Sequence, residues 1–380
     1  MPILTTQIAS SSLVAQPRTT FQSTTFQSTA PLRDAVFSAD AFDFWSRKVH
    51  PLWSWQQPLA QIVARQAESA DSVTLVLKPN RHVSRFIAGQ HINISVEIDG
   101  RRLSRSYSPR HSASNKSHQA DGRIAITVKR IEGGKVSHWL CDQAKLGDTV
   151  LLTAPYGDMT LSEKPEHAVF LAAGSGITPF ISLIQAHAAL GQRMSLLYWV
   201  RDEASACFSD ALMALAAKHA NLTVQLLMTQ PKAGVAASRI SLEQVQALVP
   251  ELANAQLYAC GPAGFVSSAS TIAQQLQRPF LGEAFSLPEL VAGSGERVQI
   301  HLARSRKTIS VAAGEPLLSA LEAAGIQPAH GCRRGICNTC ACPKSSGTTR
   351  NILTQEEQHE SVSGLRLCIS AACSDLTIDL

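Results

Sequence analysis

With 380 residues, 45% hydrophobic and 17% charged, the chain has the composition of a soluble protein of two to four domains. A formal charge of +5, with no basic run interleaved with aromatics, argues against nucleic-acid binding. Nine cysteines without an export signal predict a reducing cytoplasm, and the lack of eighteen successive apolar residues argues against a membrane-spanning helix.

Residues 1–34 are expected to form a disordered leader. Thr20-Phe-Gln-Ser-Thr24 is repeated directly as Thr25-Phe-Gln-Ser-Thr29, and such a Ser/Thr/Gln-rich stretch buries little. It also lacks the charged start and apolar middle of a signal peptide. Residues 35–58 crowd Phe37, Phe42, Phe44, Trp45, Trp53 and Trp55 together, which predicts a helix. Its aromatics have two readings: packing on the next domain, or peripheral contact with a membrane surface or membrane-bound partner, with Arg47 and Lys48 toward anionic headgroups.

From 59 to 162 short apolar runs (Ser72–Leu77, Ile92–Ile98, Arg123–Val128) alternate with turn dipeptides Asp99-Gly100 and Gly133-Gly134. The pattern predicts a closed antiparallel β-barrel. Arg105-Ser-Tyr107-Ser108 offers a guanidinium for phosphate and a ring for stacking on a flavin. Taken alone, it reads equally well as an ordinary exposed strand.

At 163–282 the rhythm becomes α/β. The continuous apolar run Ala168–Ala173 reads as a buried parallel strand feeding Gly174-Ser-Gly176-Ile-Thr178-Pro179 and a helix. Glycines at such a turn let backbone N–H groups approach a pyrophosphate, and Pro179 suits a helix start. Further strands are expected at Met194–Val200, Leu222–Met228 and Ala255–Pro262, with a helix near Asp210–Ala220. Arg201, and Arg193 near it, flank the second strand, where a 2′-phosphate would be gripped; this favours NADPH over NADH. The competing reading of both arginines is solvated surface charge.

Residues 283–297 read as a Gly/Ser-containing linker. The 298–380 segment opens with two strands (Val298–Leu302, Thr308–Val311) and a helix, Pro316–Ala324. Then comes Cys332-Arg-Arg-Gly-Ile-Cys337-Asn-Thr-Cys340, with Cys368 further on in an apolar strand or short helix. Four residues, then two, then a distant fourth cysteine is the plant-type [2Fe–2S] ligand spacing. Structural zinc would show a matching second pair, and a Rieske centre would need two histidines. Cys342 and Cys373 read as packing residues.

In this order the pieces resemble the ferredoxin–NADP reductase superfamily with a C-terminal plant-type ferredoxin domain, over roughly residues 55–380. The resemblance implies an antiparallel flavin barrel, an α/β parallel-sheet nucleotide domain and an α+β β-grasp ferredoxin domain. Arg105-x-Tyr107-Ser108 looks like the family's flavin motif. Gly134-x-Val136-Ser137 looks like its flavin-diphosphate motif, which favours FAD over FMN. Gly174-x-Gly176-x-Thr178-Pro179 resembles the nucleotide turn, Cys260-Gly261-Pro262 the nicotinamide-side strand end, and Glu283-x-Phe285 the segment beside the flavin ring. The resemblance puts Cys260 near the nicotinamide and Phe285 in its place on the flavin until the nucleotide arrives. Cys260 also reads as a buried strand residue.

The implied path runs from NADPH to FAD, to the [2Fe–2S] cluster, to an external acceptor, because a hydride carries two electrons and the cluster takes one at a time. Phe42-Asp-Phe-Trp45 and Pro51-Leu-Trp53 resemble the leader of bacterial reductases serving membrane acyl-lipid desaturases. A membrane fatty-acyl desaturase is therefore the expected acceptor, for a monomer in the cytoplasm or peripheral to the inner face of the membrane. The alternatives are a soluble ring-hydroxylating oxygenase or demethylase, and a redox-sensing binding module with little turnover. The ferredoxin part carries eight Lys/Arg and seven Asp/Glu, so it lacks the strong acidity that would steer it to a very basic partner.

Overall fold

The computed structural model describes residues 39–111, 122–161, 165–230, 238–286 and 296–380. The proposed disordered leader, Phe37 and most of the proposed linker lie outside these residues.

The described residues open with helix α1 (Ala39–Val49), shorter than the aromatic run. Asp43 holds it in place: its carboxylate accepts from the Ser54 hydroxyl at 2.8 Å and from the Trp55 N–H. Asn80 donates to the carbonyls of Leu52 and Gln57, and Leu52 is buried. These polar anchors fix the segment on the next domain through Leu52 and the backbone. The rings face outward instead: Phe42, Phe44, Trp45, Trp53 and Trp55 are all exposed, against the packing reading.

The first sheet has seven strands in antiparallel pairs: β1 (Leu59–Ser69), β2 (Ser72–Pro79), β3 (Ile92–Ile98), β4 (Arg101–Tyr107), β5 (Arg110–His111), β6 (Ile124–Lys129) and β7 (Thr149–Leu152). The order β4-β3-β7-β1-β2-β6-β5 leaves β4 and β5 as edges, so no ladder closes the barrel among the described residues. The core is filled by inward residues such as Leu75, Leu77, Ile92, Ile94, Ile126 and Leu140. A short helix, α2 (Lys135–His138), follows β6. The open seam lies where Arg105 and Tyr107 sit.

The second sheet is parallel, in the order β10-β9-β8-β11-β12: β8 (His167–Ala173), β9 (Arg193–Val200), β10 (Leu222–Met228), β11 (Ala255–Gly261) and β12 (Phe280–Ala284). All seven residues of β8 are buried, as a strand covered on both faces requires. Among the described residues four α-helices accompany it: α3 (Ile177–His187), α4 (Ser209–Lys218), α5 (Leu242–Leu248) and α6 (Ala263–Gln275). The chain winds outward from β8 to β10, then returns to β11 on the other side. The β8/β11 junction is thus the switch point where such sheets open a ligand crevice at their carboxyl ends. Strand β12 runs through Ala284, so Glu283 and Ala284 belong to this sheet.

The third unit pairs β13 (Arg297–Leu302) with β14 (Lys307–Ala312), followed by α7 (Leu317–Ala323). Strands β15 (Ala341–Ser346), β18 (Val362–Arg366) and β20 (Leu376–Ile378) complete a five-stranded sheet ordered β14-β13-β20-β15-β18, in which β13 and β20 are parallel. A small second sheet joins β16 (Thr349–Asn351), β17 (Glu357–Gln358) and β19 (Ser370–Ala372). The cluster loop spans α7 to β15, and Cys368 sits in a 3₁₀ turn directly after β18.

Candidate active site

A cavity of about 510 Å³ opens at the seam of the first sheet, and all three units line it. The first sheet contributes His91, Arg105, Tyr107, Ser108, Gly134, Val136 and Ser137; the second contributes Ser175, Thr178, Cys260, Glu283 and Phe285. The third contributes Cys332, Arg333 and Arg334 from the cluster loop. A Cβ built on Gly331 would stand 3.1 Å from Asn93 Nδ2, so this loop lies directly against β3.

Arg105 faces Ile94 in the β3/β4 ladder and is half-buried. Burial, then the neighbouring charges of Arg333 and Arg334, push its pKa down; an anion in the cavity would relieve both. Burial likewise pushes the Tyr107 phenol up, so it stays a neutral ring. The Ser137 hydroxyl is spent locally, donating to Gly134 O at 2.9 Å and accepting from Ile131 N at 3.2 Å.

Cys260 and Glu283 are register partners across β11 and β12, and Phe285 N donates to Gly261 O at 3.0 Å. The ladder therefore sets the cysteine, the carboxylate and the phenyl ring along one wall. Burial first, and Glu283 second, push the Cys260 thiol up, so it stays protonated and is no nucleophile. His91 links the walls: its Nδ1 meets Ser108 Oγ at 3.0 Å, and its Nε2 contacts the Glu283 carboxylate. This Ser108–His91–Glu283 chain can hold or pass a proton at the cavity wall. A single histidine before a strand gave no sequence signal for it.

The four predicted ligand cysteines gather as two pairs. Cys332 N and Cys337 Sγ are 3.2 Å apart, and Cys340 and Cys368 share a thiol hydrogen bond. In each pair one thiol donates to the other, which pushes Cys337 and Cys340 down and Cys332 and Cys368 up. Backbone N–H groups of Arg334 and Gly335 donate to Cys332 Sγ at 3.3 Å and Cys368 Sγ at 3.1 Å, and Thr339 Oγ1 donates to Cys337 Sγ at 3.2 Å. A nest of donors around paired sulfurs suits anionic thiolates shared between two irons. Among the described residues no three His, Cys, Asp or Glu are grouped closely enough to hold one metal ion, so the case for the four cysteines rests on their spacing and on the two sulfur pairs. Gly335 has φ +77°, and a Cβ there would stand 2.4 Å from Ile369 Cδ1, so the loop needs glycine. Cys342 is buried among apolar neighbours, and Cys373 is half-buried.

A second cavity, of about 670 Å³, lies at the carboxyl ends of β8 to β11. Its lining includes Gly174, Ser175, Arg201, Arg239, Pro262 and Phe285. Phe285 therefore borders both cavities. Gly176, Pro179 and Gly261 fall outside both linings and support the turn from beneath. A Cβ on Gly176 would stand 2.0 Å from Cys260 O, so the β8 turn packs directly on the end of β11. Thr178 Oγ1 donates to Ser175 O at 3.0 Å and ties the turn.

Arg201 follows β9 at the crevice and pairs with Asp71 at 3.0 Å. Arg193 does not share this place. It opens β9 at the other end of the sheet, beside Glu251, and cannot reach a nucleotide in the crevice. Closeness to the strand in sequence misled there, because the two ends of an eight-residue strand lie on opposite edges of the sheet. Arg239, beyond the reach of the sequence reading, lines the crevice instead.

Comparison with known proteins agrees with this layout. Residues 59–161 match the oxidoreductase FAD-binding domain, 170–271 the oxidoreductase NAD-binding domain, and 300–373 the 2Fe-2S iron-sulfur cluster binding domain. An NADPH oxidoreductase of Mycobacterium tuberculosis is 32% identical over 346 residues, covering 89% of this chain and 88% of the relative. Phenoxybenzoate dioxygenase subunit beta of Ectopseudomonas oleovorans is 31% identical, covering 85% of this chain and 98% of the relative. The solved structure of phthalate dioxygenase reductase shares the fold, with a TM-score of 0.60 at 22% identity over 85% of this chain and 97% of that one. The chain belongs to the NAD(P)H-dependent flavin and iron–sulfur reductases, electron-transfer oxidoreductases that carry FAD and a [2Fe–2S] cluster.

Proposed function

We propose that this chain is the reductase component of an oxygenase system, taking electrons from NADPH and delivering them singly to a separate terminal oxygenase. The observation that carries this reading is the company it keeps. A 3-ketosteroid-9-alpha-monooxygenase ferredoxin reductase component of Mycobacterium tuberculosis (30% identical) and a glycine betaine monooxygenase reductase subunit of Pseudomonas aeruginosa (24%) stand beside the phenoxybenzoate dioxygenase subunit. Among the described residues no helix is long and apolar enough to cross a membrane.

Bound FAD and the cluster supply the conversion of one two-electron delivery into two single electrons. The chain's own residues position and seal. Arg105 is assigned the flavin phosphate, with the Gly134–Ser137 segment beside it, and Tyr107 one face of the ring. Cys260 and Phe285 form the other wall, where the neutral thiol and phenyl exclude water. Glu283, through His91, holds Ser108 in a fixed orientation. Gly174 and Ser175 of the β8 turn, with Pro262, are assigned the nucleotide diphosphate, and Gly176, Pro179 and Gly261 support that turn. Arg201, with Arg239, is assigned the 2′-phosphate, which makes NADPH the preferred donor. Cys332, Cys337, Cys340 and Cys368 hold the two irons, with Cys332 nearest the flavin cavity.

A second reading, delivery to a membrane fatty-acyl desaturase, is favoured by the outward aromatic surface of α1 and the turn after it: Trp45 is 68% exposed and Trp55 57%. One experiment separates the two. The purified protein is supplied with NADPH and either a soluble ring-hydroxylating terminal oxygenase or a membrane acyl desaturase in vesicles. The oxygenase reading expects coupled substrate hydroxylation, unchanged in a Trp45→Ala/Trp53→Ala variant. Desaturation that is lost in that variant, with no hydroxylation by either protein, overturns it in favour of the membrane partner.

A further inference from the structure

The cluster loop sends two consecutive arginines into the flavin cavity, and they are not equivalent. Arg333 is in the left-handed region (φ +59°), which turns its side chain from that of its neighbour. The terminal nitrogens of Arg333 are held within its own unit by the Glu322 carboxylate and by His330 at 2.9 Å, and its buried Nε has no partner among the described residues. Arg334 is half-buried, lines the cavity and has no hydrogen-bond or ion-pair partner for its guanidinium among the described residues. Its backbone N–H meanwhile donates to Cys332 Sγ at 3.3 Å. One residue thus touches a cluster ligand with its main chain and the flavin cavity with its side chain.

The charges around the cavity do not balance. Lys129 pairs with Asp71 at 3.4 Å, Glu283 with His91, and Arg333 with Glu322. Glu132 is exposed. Two guanidiniums, Arg105 and Arg334, remain without an acid. Arg334 lines the cavity together with Tyr107 of the barrel and Cys260 of the nucleotide domain. Arg105 is accounted for by the flavin phosphate. An unpaired, half-buried arginine is costly unless a negative group joins it. Hydride transfer brings two electrons and one proton, so it adds one negative charge to the flavin; passing both electrons on to the cluster and releasing that proton to solvent returns it to neutral.

We propose that Arg334 is a positioning residue for internal electron transfer: a positive charge lent by the iron–sulfur domain to the flavin site, which favours the reduced, anionic flavin while the cluster loop is docked. The proposal holds whichever acceptor the protein serves. It goes beyond a packing role, because a packing residue would not respond to charge.

The test uses the intact holoprotein with FAD in excess and anaerobic redox titration against indicator dyes. Arg334→Ala and Arg334→Gln are expected to lower the reduced-to-oxidised flavin ratio at a fixed potential about tenfold, a shift of ~30 mV for a two-electron couple. Arg334→Lys keeps the charge and is expected to stay within about threefold of the parent, a loss of ~0.7 kcal/mol. Iron content and the visible circular dichroism of the cluster report whether the loop is intact. A flavin ratio unchanged in Arg334→Gln with the cluster intact overturns the proposal. So does an Arg334→Lys protein that behaves like Arg334→Gln.

Discussion

In the cluster loop, side chains do the binding and the backbone serves them; along the nucleotide crevice the roles are reversed. Four sulfurs are brought together, and N–H groups of Arg334, Gly335 and Cys337 turn inward to them. At the crevice the turn 174–179 offers main chain, and its side chains are occupied elsewhere: Thr178 ties its own turn and Pro179 is buried. Arg201 and Arg239 stand at the margin. The difference reflects what each ligand demands. A plant-type cluster needs four thiolates at set positions. A diphosphate needs oriented N–H groups, which any well-placed turn can present.

The sharpest way to break this comparison is at a sulfur. Cys368→Ser removes one of four ligands and is expected to leave a protein that binds FAD, is reduced by NADPH, and passes essentially no electrons to cytochrome c. Iron analysis and the absorbance of the oxidised protein check it. Retained cluster and turnover would mean that the Cys340–Cys368 pair is not one half of the cage. Cys342→Ser, at a buried cysteine outside that cage, is expected to keep the iron and cost only stability, since it leaves a hydroxyl among apolar neighbours.

The next effect belongs to the crevice. Gly176→Val would drive a Cβ into Cys260 O, now 2.0 Å from where it would stand, so the β8 turn and the end of β11 must separate. Overpacking of this kind costs about 1–3 kcal/mol, and part of that appears in nucleotide affinity because the same turn frames the crevice. A rise in KM for NADPH of about tenfold or more, with the cluster spectrum unchanged, is the expected result. An equal loss of cluster would show that the two regions are not independent.

The two regions also differ in how far the sequence announces them. Cysteine spacing pointed to four residues that the fold brings into two neighbouring pairs, because the plant-type pattern is specific. The Gly174–Pro179 turn was legible as a turn, since a continuous apolar run ending in glycines has few readings. Strand β12 was not: Phe280–Ala284 has only five residues, one of them glycine, and it gains its identity from pairing with β11. The open seam of the barrel escaped for a related reason, because strand patterns report which faces are buried and not whether the last two edges meet. His91 and Arg334 are single residues whose partners lie far away in the chain. Only the fold brings His91 to Glu283, 192 residues on. Arg193 shows the reverse error, in which nearness along the chain was taken for nearness in space.

The smallest expected effect is also the most informative about the crevice. Arg201 is half-exposed and already paired with Asp71, whose carboxyl is held below its usual range: burial pushes it up, but Lys129 and the Ser69 and Ser72 hydroxyls outweigh that. A 2′-phosphate must therefore compete with Asp71 for the guanidinium. The net gain is smaller than a free arginine would give, and Arg239 shares the load. Arg201→Ala is expected to lower kcat/KM for NADPH about tenfold, or ~1.4 kcal/mol, while leaving NADH nearly unchanged. Asp71→Asn should move the preference the other way by releasing Arg201, and rising salt should weaken both effects because the pair is partly exposed. If both cofactors fall equally in Arg201→Ala, the arginine supports the turn and does not read the phosphate. The crevice would then be a main-chain site throughout, and the contrast with the cluster loop would be sharper still.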